Sequence, residues 1–305
     1  GFYDLRVPEV REAQAQMARE AGIEGFCYWH YWFGNGKRLL ERPFNEVLAS
    51  GKPDFPFCLA WANENWKRAW TKNEADILIP QVYSGMKDYE DHFYALLDAF
   101  RDRRYLTIDK KLIFMVYHPE GMPSSKQFTE CWQELAKKNG LSGFHFIYFS
   151  NEVGNDLLDG FDGVVARDVV ALGLSSLAAQ ANVLKKTIKK IQRVRRKLRI
   201  VSYSDLIKAL KKEQCLATSF TYPMVISNWD NTPRYGRVGS VVTGSTPGLF
   251  GLHLRDAVEY VDRRLNHEEK IIFIKSWNEW AEGNYLEPDQ LYGSALLKKV
   301  AEAIQ

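Results

Sequence analysis

The sequence predicts an α/β fold built from parallel strands, and two observations support this prediction. Short apolar runs of strand length alternate along the chain with amphipathic segments of helical period. Most of these apolar runs are followed by a cluster of polar and aromatic residues. Because the carboxyl ends of parallel strands meet at one edge of a sheet or one mouth of a barrel, such clusters are expected to gather there. Their repetition along the chain favours a barrel over an open sheet.

Five segments have the periodicity or the boundary residues of helices. The first, 8–21, begins with Pro8 and is followed by Gly22, two residue types that commonly flank helices. The other four are 44–50, 88–103, 126–139 and 293–304. Helices between strands are the connections that parallel pairing requires.

Seven strands are predicted among these helices. They span 25–33, 55–62, 112–117, 144–149, 162–169, 224–227 and 270–275. A (β/α)8 barrel of the TIM type has eight strands and begins with a strand, whereas this chain begins with a helix. We therefore expect a TIM-type barrel whose first strand would precede Gly1 and is absent from this chain.

Composition is consistent with a single domain over residues 1–305. The chain is 46% hydrophobic, and its 41 basic and 38 acidic residues leave a net charge of +3, which gives no indication of a nucleic-acid partner. The four cysteines form no CxxC pair, so neither a zinc site nor a disulfide framework is indicated. With no membrane-length apolar run and no secretory signal, the expected location is cytoplasmic.

One segment departs from the alternating pattern, and we interpret residues 176–212 as a basic helical insert. Within it, Lys185–Arg199 is rich in lysine and arginine, contains no acid and carries apolar residues at helical spacing. A surface helix with a solvated basic face is one interpretation. Peripheral contact with a membrane surface or an anionic glycan is the other. The sequence gives no indication of the oligomeric state.

The strand at 270–275 leads directly into a pair of acids. Glu279 and Glu282 lie three residues apart, close in sequence to the indoles of Trp277 and Trp280. Cleavage of a glycosidic bond needs one protonated carboxyl and a second carboxylate, and an apolar environment can keep one of two glutamates protonated. Paired glutamates also occur on ordinary exposed turns, but their position after a buried strand favours the catalytic interpretation.

Similar clusters follow other strands and predict a carbohydrate pocket. Sugars present partly apolar faces and hydroxyl rims, which aromatic rings and amide or carboxylate groups can bind. The predicted substrate-binding residues are Trp29, His30, Tyr31, Trp32, Asn63, Glu64, Trp66, Tyr117, His118, Trp229, Asp230, Asn278 and Trp280. No phosphate-binding loop, dinucleotide fingerprint, zinc-protease motif or nucleophile elbow is present, and we expect no metal and no cofactor.

The acidic loop resembles a known catalytic loop. The run from Asn278 to Gly283, followed by Leu286-Glu287-Pro288, resembles that of glycoside hydrolase family 99, which comprises endo-α-mannosidases and endomannanases. The whole chain is still more similar to the WbsX-type domain of bacterial O-antigen and capsule clusters, often labelled a glycosyltransferase. Further segments that carry the resemblance are YDLRVPEVREAQ, GFCYWHYWF, LLERPFNEVLASGKPDFPFCLAWANENW and NWDNTPR.

The resemblance implies a (β/α)8 barrel and a retaining mechanism that uses the 2-hydroxyl of the sugar. Glu279 would be the base that deprotonates this hydroxyl, and Glu282 the general acid and base. Ala281 occupies a position where family 99 enzymes carry a histidine. The expected function is therefore retaining hydrolysis of α-glycosidic bonds in a bacterial surface polysaccharide. A glycosyltransferase acting in the synthetic direction and a non-catalytic glycan-binding domain are the alternatives.

Overall fold

The computed structural model describes residues 2–68, 76–150, 157–166, 168, 170–171, 198–216, 220–264 and 269–304. These residues form two compact units, and each unit is described by itself. The first contains the described residues up to Val165, and the second contains those from Ala166 onward. The single domain expected from the sequence stays a prediction.

The first unit is a parallel sheet with helices between its strands. Its elements are α1 (Pro8–Glu20), β1 (Phe26–His30), α2 (Arg42–Ser50), β2 (Phe57–Trp61), β3 (Trp66–Lys67), β4 (Ile77–Ile79), α3 (Met86–Phe100), β5 (Thr107–Ile108), β6 (Lys111–Val116), α4 (Ser125–Lys138), β7 (Phe144–Ser150) and β8 (Gly163–Ala166). The strand order is β1–β2–β6–β7–β8, and the first four of these strands pair in parallel. Helices α2, α3 and α4 provide the crossovers between consecutive parallel strands.

Aromatic side chains form the core of this unit. Trp132 on α4 is fully buried, and its ring contacts Phe114 of β6, Phe128 of α4 and Phe144 of β7 at centroid distances of 4.6, 4.7 and 5.3 Å. The indole Nε1 of Trp132 donates a hydrogen bond to the Tyr89 carbonyl oxygen, so its polar group is satisfied inside the core. Burial of each such ring stabilises the fold by about 1.5–3 kcal/mol.

The second unit contains two parallel strand pairs flanked by helices. Its elements are β9 (Arg199–Ser202), α5 (Tyr203–Leu216), β10 (Thr221–Tyr222), β11 (Met224–Ile226), α6 (Thr232–Tyr235), β12 (Ser240–Thr243), α7 (Pro247–Arg264), β13 (Phe273–Lys275), β14 (Asn278–Glu279), β15 (Asn284–Tyr285) and α8 (Ala295–Ala303). Strand β11 pairs in parallel with β13, and β9 pairs in parallel with β12. The buried side chains of Val201, Tyr203, Ile226, Trp229 and Val242 pack into one core.

All seven predicted strands and all five predicted helices are present, with boundaries within three residues of the prediction. Among the longer elements, the sequence pattern did not reveal β9, β12 or α7, whereas α5 begins within residues 176–212, the expected helical insert. Residues 185–197 of the predicted basic segment lie outside the described residues. In the described end of the expected insert, residues 199–202 form a strand rather than a helix, because they pair with β12. Helix α7 was missed because Gly248 and Gly251, which have low helix propensity, interrupt its apolar pattern.

None of the helices that the structure describes combines the length and the apolar character that crossing a bilayer would require.

Candidate active site

The two predicted catalytic glutamates lie on a tight hairpin after β13. Strands β14 and β15 pair antiparallel, and a 3-10 turn over Trp280–Glu282 joins them. Glu279 ends β14 directly before this turn and Glu282 is the last residue of the turn, so the two carboxylates are close along the hairpin. Gly283 ends the turn at a φ of +54°, and a Cβ at this position would lie 3.1 Å from Asp230. The turn therefore requires glycine for both its conformation and its close packing.

Both glutamates bind the same guanidinium group. Arg234 Nη2 donates a hydrogen bond to Glu279 Oε1 at 2.9 Å, and Arg234 Nη1 donates one to Glu282 Oε1 at 3.3 Å. The Glu279 side chain is 35% exposed to solvent, whereas the Glu282 side chain is 16% exposed. One cation thus bridges two carboxylates that differ in their access to solvent.

Hydrogen bonds between two loops hold Arg234 at this position. Asp230 Oδ1 accepts hydrogen bonds from the backbone nitrogen and the Oγ1 of Thr232, at 2.9 and 2.6 Å, at the start of the short helix α6 that carries Arg234. The backbone nitrogen of Asp230 also donates to the Glu282 carbonyl oxygen at 2.8 Å. The loop after β11 and the hairpin after β13 are therefore joined beside the acids.

A fully buried asparagine fixes the base of the hairpin. Asn284 Nδ2 donates hydrogen bonds to the carbonyl oxygens of Asn228 and Lys275, at 2.8 and 2.9 Å. Its Oδ1 lies 3.1 Å from the Ser276 hydroxyl, which donates to it. These bonds connect the ends of β11 and β13 to β15, which restricts movement of the turn.

Burial shifts the pKa values of two charged groups at the site, Glu282 and Lys275. Burial of Glu282 raises the pKa of its carboxyl, and the nearby Lys275 and Arg234 only partly oppose this increase. The Glu279 and Asp168 charges add to the increase. The pKa of Lys275 is lowered by burial, and its Nζ lies 4.7 Å from the centroid of the Trp229 ring. A glutamate with a raised pKa is suited to donate a proton near neutral pH.

An exposed aromatic platform lies directly after Glu279. The Trp280 ring is 43% exposed and stacks on Tyr285 with a centroid distance of 3.8 Å and an interplanar angle of 13°. Its Nε1 donates a hydrogen bond to Oε2 of the buried Glu287 at 2.6 Å. The ring orientation is therefore fixed while a large part of its surface stays open to a ligand.

The remaining predicted residues of the second unit have structural contacts. Trp229 is buried, and its Nε1 donates a hydrogen bond to Ser240 Oγ at 3.1 Å. Asn278 is half-buried and pairs with Tyr285 in the hairpin. Together with the hydrogen bonds between Asp230 and Thr232, these contacts give each residue a role in shaping the site. Their predicted contacts with sugar stay predictions.

In the first unit, several predicted binding residues form partly exposed aromatic groups. Trp29, which is 44% exposed, packs edge-on against Tyr117 at 5.4 Å and lies 5.6 Å from Phe149. Tyr31 packs edge-on against the half-buried Trp66, with their ring centroids 5.2 Å apart. Such groups can offer apolar faces to a sugar.

Other predicted binding residues of this unit are buried and bonded to protein groups. His30 Nε2 and His92 Nε2 are 2.8 Å apart, and burial lowers the pKa of His30 to about 3. Trp32 stacks on His92 at 4.7 Å, and its Nε1 donates to Asp88 Oδ1 at 3.2 Å. Sugar contact by His30 or Trp32 stays a prediction, and each of them already has partners within the fold.

Asn63 forms a similar internal network at the end of β2. Its Nδ2 donates hydrogen bonds to the Tyr83 hydroxyl and the His118 carbonyl oxygen, at 3.0 and 2.9 Å, and its Oδ1 accepts one from the His118 backbone nitrogen at 2.7 Å. The half-buried His118 ring also lies near Glu120, with Nδ1 and Oε2 3.4 Å apart. Glu64, the next residue after Asn63, is exposed.

The prediction from sequence missed two cations of the site. Arg234 and Lys275 are not among the predicted site residues, although Arg234 ends the NWDNTPR segment that carries the family resemblance. That segment was the available signal for Arg234. For Lys275 the signal was weaker, because a lysine that ends an apolar strand is normally expected to extend into solvent.

The fold is shared with glycoside hydrolases of known structure. A chain titled "Glycoside hydrolase-like protein" superposes with a TM-score of 0.64 at 14% identity, covering 100% of this chain and 88% of that chain. The GH99 endo-α-mannosidase from Bacteroides thetaiotaomicron gives a TM-score of 0.61 at 14% identity, covering 99% and 80%. These similarities confirm the predicted α/β fold of the TIM type.

The fold and the family together define a carbohydrate-active class of protein. The chain belongs to the family "Glycosyltransferase WbsX", which matches residues 1–300. The uncharacterized protein WxcX, found in two strains of Xanthomonas campestris pv. campestris, is 31% identical over 306 residues. This match covers 100% of the chain but only 42% of the relative, so the chain spans about two fifths of that protein's length. The predicted resemblance to the WbsX family, and to glycoside hydrolase family 99 in fold, is confirmed.

Proposed function

We propose that this chain is the catalytic part of an enzyme that cleaves α-glycosidic bonds in a bacterial surface polysaccharide, either an O-antigen or a capsule. Glu279 and Glu282 act as the catalytic pair, and the configuration at the anomeric carbon is retained. The observation that carries the proposal is the pairing of these two carboxylates on one guanidinium, with one carboxylate more buried than the other.

The properties of the two glutamates support different roles. Glu282 is the general acid, because burial raises its pKa and favours the protonated form. Glu279 is the base, because its carboxylate is more exposed and makes the shorter bond to Arg234. Trp280 provides a fixed apolar surface beside Glu279 against which a sugar ring can lie.

By analogy with family 99, the reaction has two steps, and each proton that moves has a donor and an acceptor. Glu279 takes the proton of the sugar 2-hydroxyl, whose oxygen bonds to the anomeric carbon as the glycosidic bond breaks. The leaving oxygen takes the proton of Glu282. Water then attacks the anomeric carbon and gives a proton to Glu282, while the 2-oxygen leaves that carbon and regains its proton from Glu279.

The description of the family as glycosyltransferases favours a second candidate, transfer to an acceptor hydroxyl at the same site. An acceptor hydroxyl would then replace water in the second step, and the same two glutamates would be needed. The two candidates differ in their products: hydrolysis releases a new reducing end, whereas transfer lengthens or branches an acceptor chain.

The test uses the full-length protein with panels of α-mannans, O-antigens and capsular polysaccharides, and mass spectrometry of the products. We expect Glu282→Gln to lower turnover by about 10²- to 10⁴-fold, as loss of a general acid does, and Glu279→Gln to lower it similarly. Glu302→Gln, which alters an exposed glutamate on α8, is the matched control. If both site variants keep wild-type turnover on a cleaved substrate, the assignment is wrong. Glycan binding without any product would instead support a non-catalytic role.

A further inference from the structure

We propose that Arg234 is a positioning residue whose guanidinium holds the negative charge of the pair on Glu279, while the proton stays on the more buried Glu282. This inference rests on the proposed function for its role in turnover. The assignment of charge itself can be measured without substrate.

The geometry of the bridge is asymmetric. The bond from Nη2 to Glu279 is 2.9 Å long, whereas the bond from Nη1 to Glu282 is 3.3 Å long. Charge-assisted hydrogen bonds of the guanidinium–carboxylate type are normally about 2.7–2.9 Å long. The guanidinium is therefore closer to its ideal contact at Glu279, and burial disfavours charge on Glu282.

Other charged groups that face Glu282 do not reverse this assignment. Lys275 of β13 and Arg234 itself favour its ionised form, whereas burial, Glu279 and Asp168 disfavour it. Lys275 is itself constrained, because its Nζ lies over the Trp229 ring and burial lowers its pKa. In the part of the chain that the structure describes, Arg234 is the cation that hydrogen-bonds to both members of the pair.

The bridge suits a reaction in which charge moves between the two carboxylates. When Glu279 takes a proton and Glu282 gives one, the pair keeps a net charge of −1 while the charge changes its position. A guanidinium with separate nitrogens on the two carboxylates can stabilise both arrangements without moving. A lysine ammonium is a compact point charge and cannot reproduce this fixed two-nitrogen geometry.

The substrate-free test is a carboxyl titration of the full-length protein with ¹³C-labelled glutamate, assigned with Glu279→Gln and Glu282→Gln. We expect the pair to lose its protons in two separate steps, with the later step at Glu282. Arg234→Gln should narrow the interval between the two steps, because the cation that favours the charge on one member of the pair is lost. Arg237→Gln, at an exposed arginine three residues further along the same loop, is the matched control and should leave both steps in place.

The second readout is the pH profile of turnover. Arg234→Gln should lower kcat on the order of 10²-fold, change KM much less and move the acidic limb to higher pH. Arg234→Lys keeps the charge, so the acidic limb of the pH profile should return part of the way to its wild-type position. The recovery of kcat should be smaller. Because the Arg234 side chain is 41% exposed, we expect both variants to fold, and near-ultraviolet circular dichroism checks this.

The outcomes separate this inference from the proposed function. If the pair titrates alike in Arg234→Gln, Arg237→Gln and the wild type, the inference is overturned, even where turnover still depends on Glu279 and Glu282. If the titration shifts as expected but no glycan is turned over, the assignment of charge stands and the proposed function fails.

Discussion

Polar residues that follow strands differ between the two units in their burial and in their bonding partners. In the first, His30, Trp32 and Asn63 are buried and bonded to protein partners that lie far away in sequence. In the second, Glu279 and Glu282 share one cation and keep part of their surface exposed. The same sequence pattern, an apolar strand followed by polar and aromatic residues, therefore has two physical outcomes.

The difference depends on charge and on what surrounds it. A neutral histidine or asparagine can be fully buried once its hydrogen bonds are satisfied. A carboxylate loses far more solvation when it is buried, so it keeps access to water or acquires a cation. Buried neutral groups of the first unit should therefore contribute mainly to stability, and partly exposed charged groups of the second mainly to chemistry.

The strongest test of this comparison is Asn63→Ala in the first unit. The variant removes three hydrogen bonds and leaves the backbone nitrogen and carbonyl oxygen of His118 without these partners. We expect the free energy of unfolding to fall by about 3 kcal/mol, because unsatisfied buried groups cost about 1–3 kcal/mol each. Urea denaturation measures the change. Asn45→Ala, at an exposed asparagine of α2, is the matched control. Equal changes for both variants would show that the Asn63 network contributes little.

The second test concerns acid stability and the buried histidine pair. The pKa of His30 is about 3 in the folded state, compared with an ordinary value of 6.5 in the unfolded state. A lowered histidine pKa means that the unfolded state binds the proton first, so stability is present above pH 6.5 and is lost as pH falls towards 3. From pH 7 to pH 5, His30 alone should remove about 2 kcal/mol.

His30→Gln isolates this contribution, because glutamine does not titrate and can still bond to His92. The fall in unfolding free energy between pH 7 and pH 5 should be smaller by about 2 kcal/mol in the variant. Urea denaturation at the two pH values gives the comparison with wild type. An unchanged fall would mean that His30 is not held neutral by burial.

The sequence predicted those parts of the structure that depend on residues close together in the chain. The strands and the helix over 8–20 follow local apolar patterns, and the Glu279/Glu282 pair is spaced for a single turn. The His30–His92 and Arg234–Glu279 contacts join residues 62 and 45 positions apart, so no local period indicates them. Strand β9 was missed for a related reason: it directly follows a basic run and is defined by its pairing with β12.

The smallest expected effect belongs to Trp280, and it tests whether exposure in the second unit reflects ligand binding. Trp280→Ala removes the open ring that stacks on Tyr285. We expect KM to rise about tenfold, equivalent to about 1.4 kcal/mol, with little change in kcat. Trp280→Phe keeps an aromatic ring and should recover most of the affinity. Steady-state kinetics on a cleaved polysaccharide measures both variants.

The matched control is Tyr94→Ala, because Tyr94 is a similarly exposed aromatic residue on helix α3. This variant should leave KM unchanged if the effect of Trp280 comes from its position rather than from the loss of any surface ring. A fall in kcat for Trp280→Ala at constant KM would contradict a binding role. The Trp280 ring would then act on the adjacent Glu279 or, through its Nε1 bond, on the buried Glu287.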